Sequence, residues 1–440
     1  MPQKSTLNIG LLGFGTVGQG VWKHLQANSA NLEQRLGGSL YLAKASTKDL
    51  SKIRSVSIPK EQLTDDPWEI VNDPQIDIVC ELIGGTDLAR KLTLKALEQG
   101  KTVVSANKAL ICEHGQEIFD IARTHQAHFF FEASVAGGIP IIKTLREGLV
   151  ANRFSLIHGI LNGTSNYILT RMEQEGLPLE TVLADARKLG YVEADESLDL
   201  DGWDAAHKAV ILTYLAHGFW ADPKALTVEG IRSITPQDMS FAKKLGYKIK
   251  LLAIIENIKN SGQIAVGVHP TLIPEATILA SVDDVFNGIS ITGDVAGTTF
   301  LVGRGAGQDA TASAVISDIA DAASLLLNTH QEKNAQKKAP LPIETSCKIA
   351  NPEAVTSAYY FRMCAKDKPG VLAEIAEALA AHEVSVASML QESLDKNKVA
   401  LVITTHRAPE SQLTQAIKHL EQLDCILEKP FFIRILDSDL

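Results

Sequence analysis

The sequence lacks most of the features that mark secreted, membrane-spanning or nucleic-acid-binding proteins. Its five cysteines are odd in number and widely spaced, so they form neither a disulfide framework nor a zinc-binding pattern. No apolar run reaches the length of a membrane span, and the first residues do not form a secretory signal. We therefore expect a soluble cytoplasmic protein with reduced thiols.

The charge balance also excludes a class of partner. The net charge is -10, and no basic block offsets it, which argues against a nucleic-acid-binding surface. The one local basic cluster, residues 333–338, lies in a polar stretch and predicts a linker. A length of 440 residues with 45% apolar content predicts a globular chain of two to four domains.

A glycine motif follows the first predicted strand. Residues 7–12 predict a buried strand, and a helical pattern begins directly after the motif. This order is the context of dinucleotide binding, because the glycines permit a tight turn, close approach of a pyrophosphate and close helix packing. The helix N-terminus then faces the phosphates. A glycine-rich turn without a nucleotide is the alternative. The motif residues are Gly13, Phe14, Gly15, Thr16, Val17 and Gly18.

Strands and helices alternate from there to about residue 134. Further strands are predicted at 40–46, 76–83, 102–106 and 128–132, with helices at 89–99 and 115–125. This rhythm predicts a parallel, doubly wound α/β sheet, in which ligands bind at the carboxyl ends of the strands. Three segments lie at those ends: 84–86 with Gly84, 105–108 with Ser105 and Lys108, and 133–138.

The pattern then changes to α+β, and a third pattern closes the chain. Strands at 154–161, 250–256 and 264–269 and helices at 166–175 and 179–189 predict a second domain. The helix at 311–327 predicts a return to the first domain. After a flexible connection, residues 356–436 have the order βαββαβ, which is typical of a small ferredoxin-like module.

An acidic segment at 190–208 contains six carboxylates and one lysine. Asp204 and Lys208 stand four residues apart, so a helix would place both on one face. The apolar residues that follow predict burial, which makes the two a candidate catalytic pair. The alternative is a surface ion pair worth about 0.2–0.5 kcal/mol.

Three other segments are candidate binding elements. The second predicted strand ends without the acid that would bind the ribose 2′-hydroxyl of NAD, and Lys48, Lys52 and Arg54 follow it. Because cations suit a 2′-phosphate, this segment favours NADP. The alternative is that these residues are solvated surface cations. The loop 131–140 could cage a hard cation through oxygen ligands. The turn 160–166 presents Asn162, Gly163 and Thr164, either to a ligand or as a plain helix cap.

These segments together resemble the homoserine dehydrogenase family. The matching pieces occur in family order over residues 9–319: GFGTVG, ELIGG, SANKAL, FEASVAGGIPIIK, GILNGTSNYILTRM, GYVEAD, DGWDAAHK, VHPTLIP and GAGQDATASAV. The resemblance implies reversible reduction of L-aspartate 4-semialdehyde to L-homoserine by NAD(P)H, in the biosynthesis of threonine, methionine and isoleucine.

The resemblance also implies roles for single residues. Lys208 matches a proton donor to the aldehyde oxygen, Asp204 a substrate-binding acid and Lys108 a second functional lysine near substrate and nicotinamide. Glu193 and Asp199 match the pocket for the substrate ammonium, to which we add Gly163 and Thr164. Gly307 matches a late cofactor contact. The residues that match a loop holding a structural sodium ion, mainly through backbone oxygens, are Glu132, Val135, Gly137 and Ile139.

Threonine-regulated members of the family carry an ACT module, and DKPGVLAEIAEAL resembles its ligand loop and first helix. This implies feedback inhibition by L-threonine and assembly as a homodimer or homotetramer. The residues expected at the regulatory site are Asp367, Pro369, Gly370, Val371 and Leu372.

The predicted domains are a Rossmann-type NAD(P)-binding domain, 1–135 with 304–328, and an α+β catalytic and dimerisation domain, 136–303. A linker at 329–355 leads to the ACT domain, 356–436. One departure from the family is Lys48, where arginine is usual; lysine lacks the bidentate fork, so NAD stays open as a second cofactor.

Two other functions compete with this interpretation. A catalytically silent amino-acid-sensing protein would be expected to have lost Lys208, Asp204 or Glu193, and all three are present. A different ACT-bearing dehydrogenase acting on a hydroxy acid would need an Arg/His/Glu set, and no such spacing is seen.

Overall fold

The computed structural model describes residues 5–188, 196–259, 261–328 and 345–436. The strands of this described part, in chain order, are β1 (Thr6–Leu12), β2 (Ser39–Ser46), β3 (Leu63–Thr64), β4 (Ile78–Glu81), β5 (Thr102–Ser105), β6 (Phe129–Phe130), β7 (Phe154–Ile160), β8 (Thr227–Val228), β9 (Tyr247–Ile258), β10 (Gln263–Pro274), β11 (Phe286–Gly293), β12 (Gly297–Arg304), β13 (Lys348–Ile349), β14 (Thr356–Lys366), β15 (Val386–Asp395), β16 (Lys398–Thr405), β17 (Ala408–Pro409) and β18 (Phe431–Ile435). The helices are α1 (Thr16–Ala27), α2 (Ser29–Leu36), α3 (Trp68–Asn72), α4 (Asp87–Glu98), α5 (Lys108–Thr124), α6 (Ile141–Lys143), α7 (Gly163–Glu175), α8 (Leu179–Lys188), α9 (Ser197–Leu200), α10 (Trp203–His217), α11 (Pro236–Lys244), α12 (Gln308–Asn328), α13 (Val371–Ala380) and α14 (Glu410–Leu420).

The chain divides into two compact units. The first comprises Met1–Arg153, Val210–Pro223 and Leu301–Thr345, and the second comprises Phe154–Ala209, Lys224–Phe300 and Ser346–Leu440. The first unit contains a six-stranded sheet in the order β3-β2-β1-β4-β5-β6, and every pair in it is parallel. The predicted doubly wound sheet is therefore confirmed.

Helix α12 fills the core of the first unit. Its small and branched side chains at Ala312, Val315, Ile319 and Ala323 are buried in a cluster with Ile9 and Val21. By length and mean hydropathy this helix is also apolar enough to cross a membrane. Its place in the cluster identifies it instead as a core helix, because one side is already covered by α1 and the sheet.

Capping explains why helices α5 and α7 begin earlier than the hydrophobic pattern predicted. α5 begins at Lys108 rather than 115, because the Asn107 side chain accepts a hydrogen bond from Leu110 N. α7 begins at Gly163 rather than 166, because Asn162 accepts from Ser165 N. A cap satisfies amides of the first turn, so the helix extends beyond its apolar stripe.

The second unit is built on one continuous sheet. Its first part has the order β12-β11-β7-β9-β10, and its second part has the order β18-β14-β16-β15. The second part, with α13 and α14, has the predicted βαββαβ order, and its strands have the 4-1-3-2 arrangement of a ferredoxin-like module. Strand β18 runs parallel to β10, pairing Thr271 with Arg434, and thereby joins the two parts. The predicted connection at 329–355 lies largely outside the described residues.

Two buried ion clusters reinforce this joint. The Arg434 guanidinium binds Glu229 at 2.9 and 3.0 Å and Glu410 at 2.6 and 3.0 Å. Asp238, fully buried in the first turn of α11, accepts from Arg362 Nε at 2.6 Å and from the Tyr360 hydroxyl at 3.0 Å, both in β14. Arg434 and Arg362 of the module are therefore paired with Glu229 and Asp238 outside it, and Arg434 is also paired with Glu410 of the module's own helix α14.

We predict that Asp238→Ala destabilises the second unit by about 3–5 kcal/mol, because it leaves the Arg362 charge beside β14 without its partner. Thr235→Ala is the matched control, since it removes only the helix cap that pairs with Asp238 and should cost about 1 kcal/mol. Thermal melts followed by circular dichroism compare the two. Equal losses for both variants would contradict the prediction.

Candidate functional site

The predicted pair on α10 is buried. Lys208 Nζ lies 2.7 Å from Asp204 Oδ2, and each residue is 8% exposed. Lys208 Nζ also donates to the Leu161 carbonyl at 2.6 Å. Burial removes the alternative of an exposed helix ion pair, because such a pair would be solvated on both side chains.

Asn162 is the residue that joins the acids to this lysine. Its amide nitrogen donates to Asp204 Oδ2 at 2.8 Å and to Asp199 Oδ1 at 2.7 Å. Its amide oxygen meanwhile accepts from Ser165 N as the cap of α7. The helix-cap interpretation of this turn is therefore confirmed, and the same side chain also binds the two acids. Asn162 was one of the residues that this turn was expected to present to a ligand or to use as a helix cap, but its contacts with both acids were not predicted.

Asp199 completes the cluster on the short helix α9. Burial raises the pKa of its carboxyl, and the nearby charge of Asp204 raises it further, while hydrogen bonds from Asn162 and Thr164 lower it. Gly163 lies next to this cluster in sequence, and a Cβ there would be 2.8 Å from the Val285 carbonyl oxygen. The structure thus brings Asp199, Thr164, Asp204 and Lys208 together.

The rest of the acidic segment has other partners or lies outside the described residues. Glu196 binds Arg187 at 2.6 Å, and Asp201 binds Arg232 at 2.6 Å. Both acids are therefore paired with arginines, and Glu196 is 9% exposed while Asp201 is half-buried. Glu193 lies outside the described residues.

In the first unit, the glycine turn has the geometry that a phosphate cradle needs. Gly13 has a φ of +103°, which favours glycine, and a Cβ there would lie 2.7 Å from the Leu82 carbonyl oxygen. A Cβ at Gly18 would lie 2.2 Å from the Gly13 carbonyl oxygen, so helix and turn touch. A Cβ at Gly15 would meet nothing within 4 Å, and Thr16 and Val17 begin α1 directly after it. Space beside a helix N-terminus fits a pyrophosphate.

The segment after β2 presents two cations differently. Lys48 is exposed. Arg54 donates to Thr47 Oγ1 at 2.9 Å and to the Asp49 carbonyl at 2.6 Å, and its guanidinium carbon is 5.7 Å from the ring centre of Phe14. Arg54 therefore lies over the glycine motif, a placement that the sequence spacing did not single out.

The ends of β4 and β5 are tied by Glu81. This buried carboxylate accepts from Ser105 Oγ at 2.8 Å, while the Asn107 side chain donates to the Gly85 carbonyl at 2.7 Å beside Gly84. Burial raises the pKa of Glu81. Lys108 begins α5 directly after this group and is half-buried. Sequence reasoning missed Glu81, although an acid ending an apolar strand was a visible signal.

Gly307 belongs to the same end of the first unit. It has a φ of +113° and precedes α12, whose first residue Gln308 donates to the Thr16 carbonyl at 2.9 Å. The start of α12 therefore lies beside the start of α1, at the glycine turn.

The loop expected to hold sodium is tightly folded. The Glu132 carboxylate accepts from the amides of Ile142 and Lys143, each at 2.9 Å. Burial raises the pKa of Glu132 to about 6. Gly137 has a φ of +50°. Val135, Gly137 and Ile139 are buried. The described residues contain no group of three His, Cys, Asp or Glu side chains able to hold a metal, so an ion here would need backbone oxygens.

The expected regulatory loop borders a recess of about 400 Å³. Asp367, Pro369, Gly370, Val371 and Leu372 line it together with Gln391 of β15. Gly370 has a φ of +96° and precedes α13, so the loop turns sharply into that helix. Asp367 is exposed and its amide donates to the Asn397 carbonyl at 2.9 Å.

The chain matches known proteins over its whole length. Residues 13–132 match the homoserine dehydrogenase NAD-binding domain, 140–320 match homoserine dehydrogenase, and 359–425 match the ACT domain. The homoserine dehydrogenase of Neisseria gonorrhoeae is 42% identical, with 98% of this chain and 99% of that protein covered.

Solved structures agree. A homoserine dehydrogenase from Thiobacillus denitrificans has a TM-score of 0.91 at 40% identity, covering 98% of each chain. A hyperthermophilic archaeal homoserine dehydrogenase in complex with NADPH has a TM-score of 0.61 at 27% identity, covering 72% of this chain and 97% of that one. With its glycine turn, its buried lysine cluster and its C-terminal ACT domain, this chain belongs to the homoserine dehydrogenase family of NAD(P)-dependent oxidoreductases.

Proposed function

We propose that this protein reversibly reduces L-aspartate 4-semialdehyde to L-homoserine with NADPH, in threonine, methionine and isoleucine biosynthesis. The observation that carries the proposal is the hydrogen-bonded cluster of the buried residues Lys208, Asp204 and Asn162 with the half-buried Asp199. It combines an ammonium that can donate a proton with acids that can hold a cationic amino-acid substrate.

Lys208 is the proposed proton donor. A nicotinamide nucleotide held at the glycine turn would supply a hydride for the aldehyde carbon, and the protein would then have to stabilise negative charge on the aldehyde oxygen. An ammonium has three hydrogens, and Asp204 and the Leu161 carbonyl accept two of them. The third can be directed at the substrate oxygen, where it stabilises the charge and transfers a proton.

The acids are the proposed substrate holders. Asp204 fixes the direction of the Lys208 ammonium, and Asp199, held by Asn162 and Thr164, offers a carboxylate to the substrate ammonium. Glu193 is proposed to share that role. Lys108, at the start of α5, is proposed as a second functional lysine that contacts nicotinamide or substrate.

We predict that Lys208→Met lowers kcat by about 10²–10⁴-fold, because the positioned proton donor is lost. NADPH affinity, measured by fluorescence titration, should stay within about twofold, since the glycine turn is untouched. Lys188→Met is the control, because Lys188 is exposed and pairs with Asp185, away from the Lys208 cluster in the described contacts. Full turnover by Lys208→Met would remove Lys208 from the mechanism. NADPH binding by the native protein without any turnover would favour the silent sensing protein.

We propose NADP as the preferred cofactor, with NAD as a second one. The support is the open space at Gly15, the absence of an acid at the end of β2, and the cations Lys48 and Arg54 after it. Gly84, Ser105 and Gly307 are proposed further contacts of the cofactor. An archaeal relative is described in complex with NADPH.

We predict that Lys48→Ala lowers the ratio of kcat/KM for NADPH to that for NADH by about tenfold, which corresponds to one charged hydrogen bond. Lys91→Ala is the control, because it removes an exposed cation of helix α4, outside the segment after β2, and should leave the ratio unchanged. Initial rates with each nucleotide give both ratios. An equal effect of Lys48→Ala on the two nucleotides would argue against a 2′-phosphate contact.

A sodium ion is proposed to be structural. The loop turns sharply at Ala136 and Gly137, which both have a positive φ, and main-chain oxygens are ligands suited to a hard cation. Glu132, Val135, Gly137 and Ile139 would hold it through those oxygens, since the Glu132 carboxylate already binds two amides. Its chemistry would be to fix the loop, not to polarise the aldehyde.

Inhibition by L-threonine through the ACT domain is the proposed regulation. The recess beside Asp367 and Gly370 offers main-chain groups and a carboxylate to an amino acid. Because ACT domains usually pair through their sheets, we also propose a homodimer or homotetramer. The five free cysteines are consistent with a cytoplasmic protein, for which we propose neither nucleic-acid nor membrane partners.

We predict that Asp367→Asn raises the threonine concentration for half-inhibition by about tenfold or more, because a charged hydrogen bond to the effector ammonium is lost. Glu377→Gln is the control: it neutralises another exposed acid in the following helix and should leave inhibition unchanged. Inhibition curves at fixed substrate concentration decide. The same half-inhibition concentration in both variants and the native protein would place the effector elsewhere.

A further inference from the structure

Lys250 is a buried lysine that the proposed chemistry does not use. It lies in β9 and is 1% exposed. Its Nζ donates to the Val282 carbonyl and to Asp283 Oδ1, each at 2.8 Å, and to Asn166 Oδ1 at 3.2 Å. All three ammonium hydrogens thus have acceptors, which is the condition under which a buried charge is tolerated.

The same segment, residues 282–286, is bound by helix α7. The Asn166 amide nitrogen lies within 3.0–3.2 Å of the carbonyl oxygens of Val282, Asp284 and Phe286. One turn further on, Thr170 Oγ1 accepts from Asp284 N at 3.1 Å. Positions 166 and 170 share a helix face, so α7 meets this segment along a row of polar contacts.

Polar contacts of this kind fix a helix more narrowly than apolar packing. Hydrogen bonds weaken steeply with distance and angle, whereas apolar burial is non-directional. Gly163 adds a steric limit, because a Cβ there would lie 2.8 Å from the Val285 carbonyl oxygen. Lys250 and the segment it holds therefore set where the first turn of α7 lies relative to β9.

The first turn of α7 also carries the reacting cluster. Asn166 lies one turn after Asn162, and its main-chain N–H donates to the Asn162 main-chain carbonyl at 3.3 Å. Asn162 holds Asp199 and Asp204, and Leu161 accepts from Lys208. A displacement of this turn would change all of these contacts together.

We propose that Lys250 is a positioning residue for the reaction: by binding residues 282–286 and Asn166, it places Asn162 so that Asp199, Asp204 and Lys208 have their working geometry. This inference rests on the proposed function of Lys208. Lys250 touches neither substrate nor cofactor in it and acts through α7.

Lys250→Met tests the proposal, because methionine keeps most of the volume and removes the three hydrogen bonds. We expect kcat to fall about 10–100-fold, as a displacement of about 1 Å at a reacting group can cost 10²-fold. We also expect the KM for aspartate semialdehyde to rise at least about threefold, with the KM for NADPH within twofold. Loss of folded molecules alone would lower kcat and leave both KM values unchanged.

Lys248→Met is the matched control. Lys248 lies two residues earlier on β9 and has only longer contacts, 3.7 Å to Asp283 and 3.8 Å to Glu173, with a side chain that is 22% exposed. It should keep the native kcat and both KM values.

Two outcomes overturn different statements. If Lys250→Met has the native KM for aspartate semialdehyde and the native kcat per folded molecule, as counted by circular dichroism, the positioning role is wrong while Lys208→Met can still be inactive. If Lys208→Met keeps full turnover, the proposed function of Lys208 fails, whatever Lys250→Met does.

Discussion

The second unit depends on holding three charged groups next to one another, with Asp204 and Lys208 buried and Asp199 half-buried. The two carboxylates of Asp199 and Asp204 repel each other, and the burial of Asp204 and Lys208 removes their water. Hydrogen bonds within the protein must offset both costs. The Asn162 side chain donates a hydrogen bond to each carboxylate, and the Leu161 carbonyl accepts one from the Lys208 ammonium. The Leu161 carbonyl and the Asn162 side chain both lie where β7 turns into α7. The cluster therefore forms only when the strand, the turn and the helix cap are all in place. The candidate site is thus a consequence of one strand-to-helix turn.

Polar contacts also hold two other parts of this unit in place. Asn166 and Lys250 attach α7 to residues 282–286, and Asp238 and Arg434 attach the ACT domain to the catalytic region. Strand β18 of the ACT domain pairs with β10 of the catalytic region. The ACT domain is therefore joined to that region by main-chain hydrogen bonds as well as by the chain connection. A change in the ACT sheet would therefore have a direct structural route to β10 and to its neighbour β9.

In the first unit the requirements are different, because the ligand is expected to meet the main chain. Gly13 supplies a left-handed turn and Gly18 a close approach, and Gly15 leaves room in front of α1. Side-chain charge enters only after β2, where Arg54 is held over Phe14 and Lys48 is exposed. Backbone geometry therefore accounts for the space that a nucleotide needs, and Lys48 and Arg54 are the cations proposed to distinguish the two nicotinamide nucleotides.

The sequence by itself determined what is encoded locally: the parallel sheet, the glycine turn, the βαββαβ order, and the i,i+4 spacing of Asp204 and Lys208. Periodicity and turn chemistry act over a few residues, so these features were predictable, and the ordered motifs identified the family. Only the tertiary structure decided that the pair is buried, that Asn162 bridges two acids, and that Glu196 and Asp201 pair with arginines elsewhere. It also decided that β18 pairs with β10 and that Lys250 is hydrogen-bonded to Val282 in the segment 282–286. Each of these depends on contacts between residues distant in sequence, which no local pattern specifies.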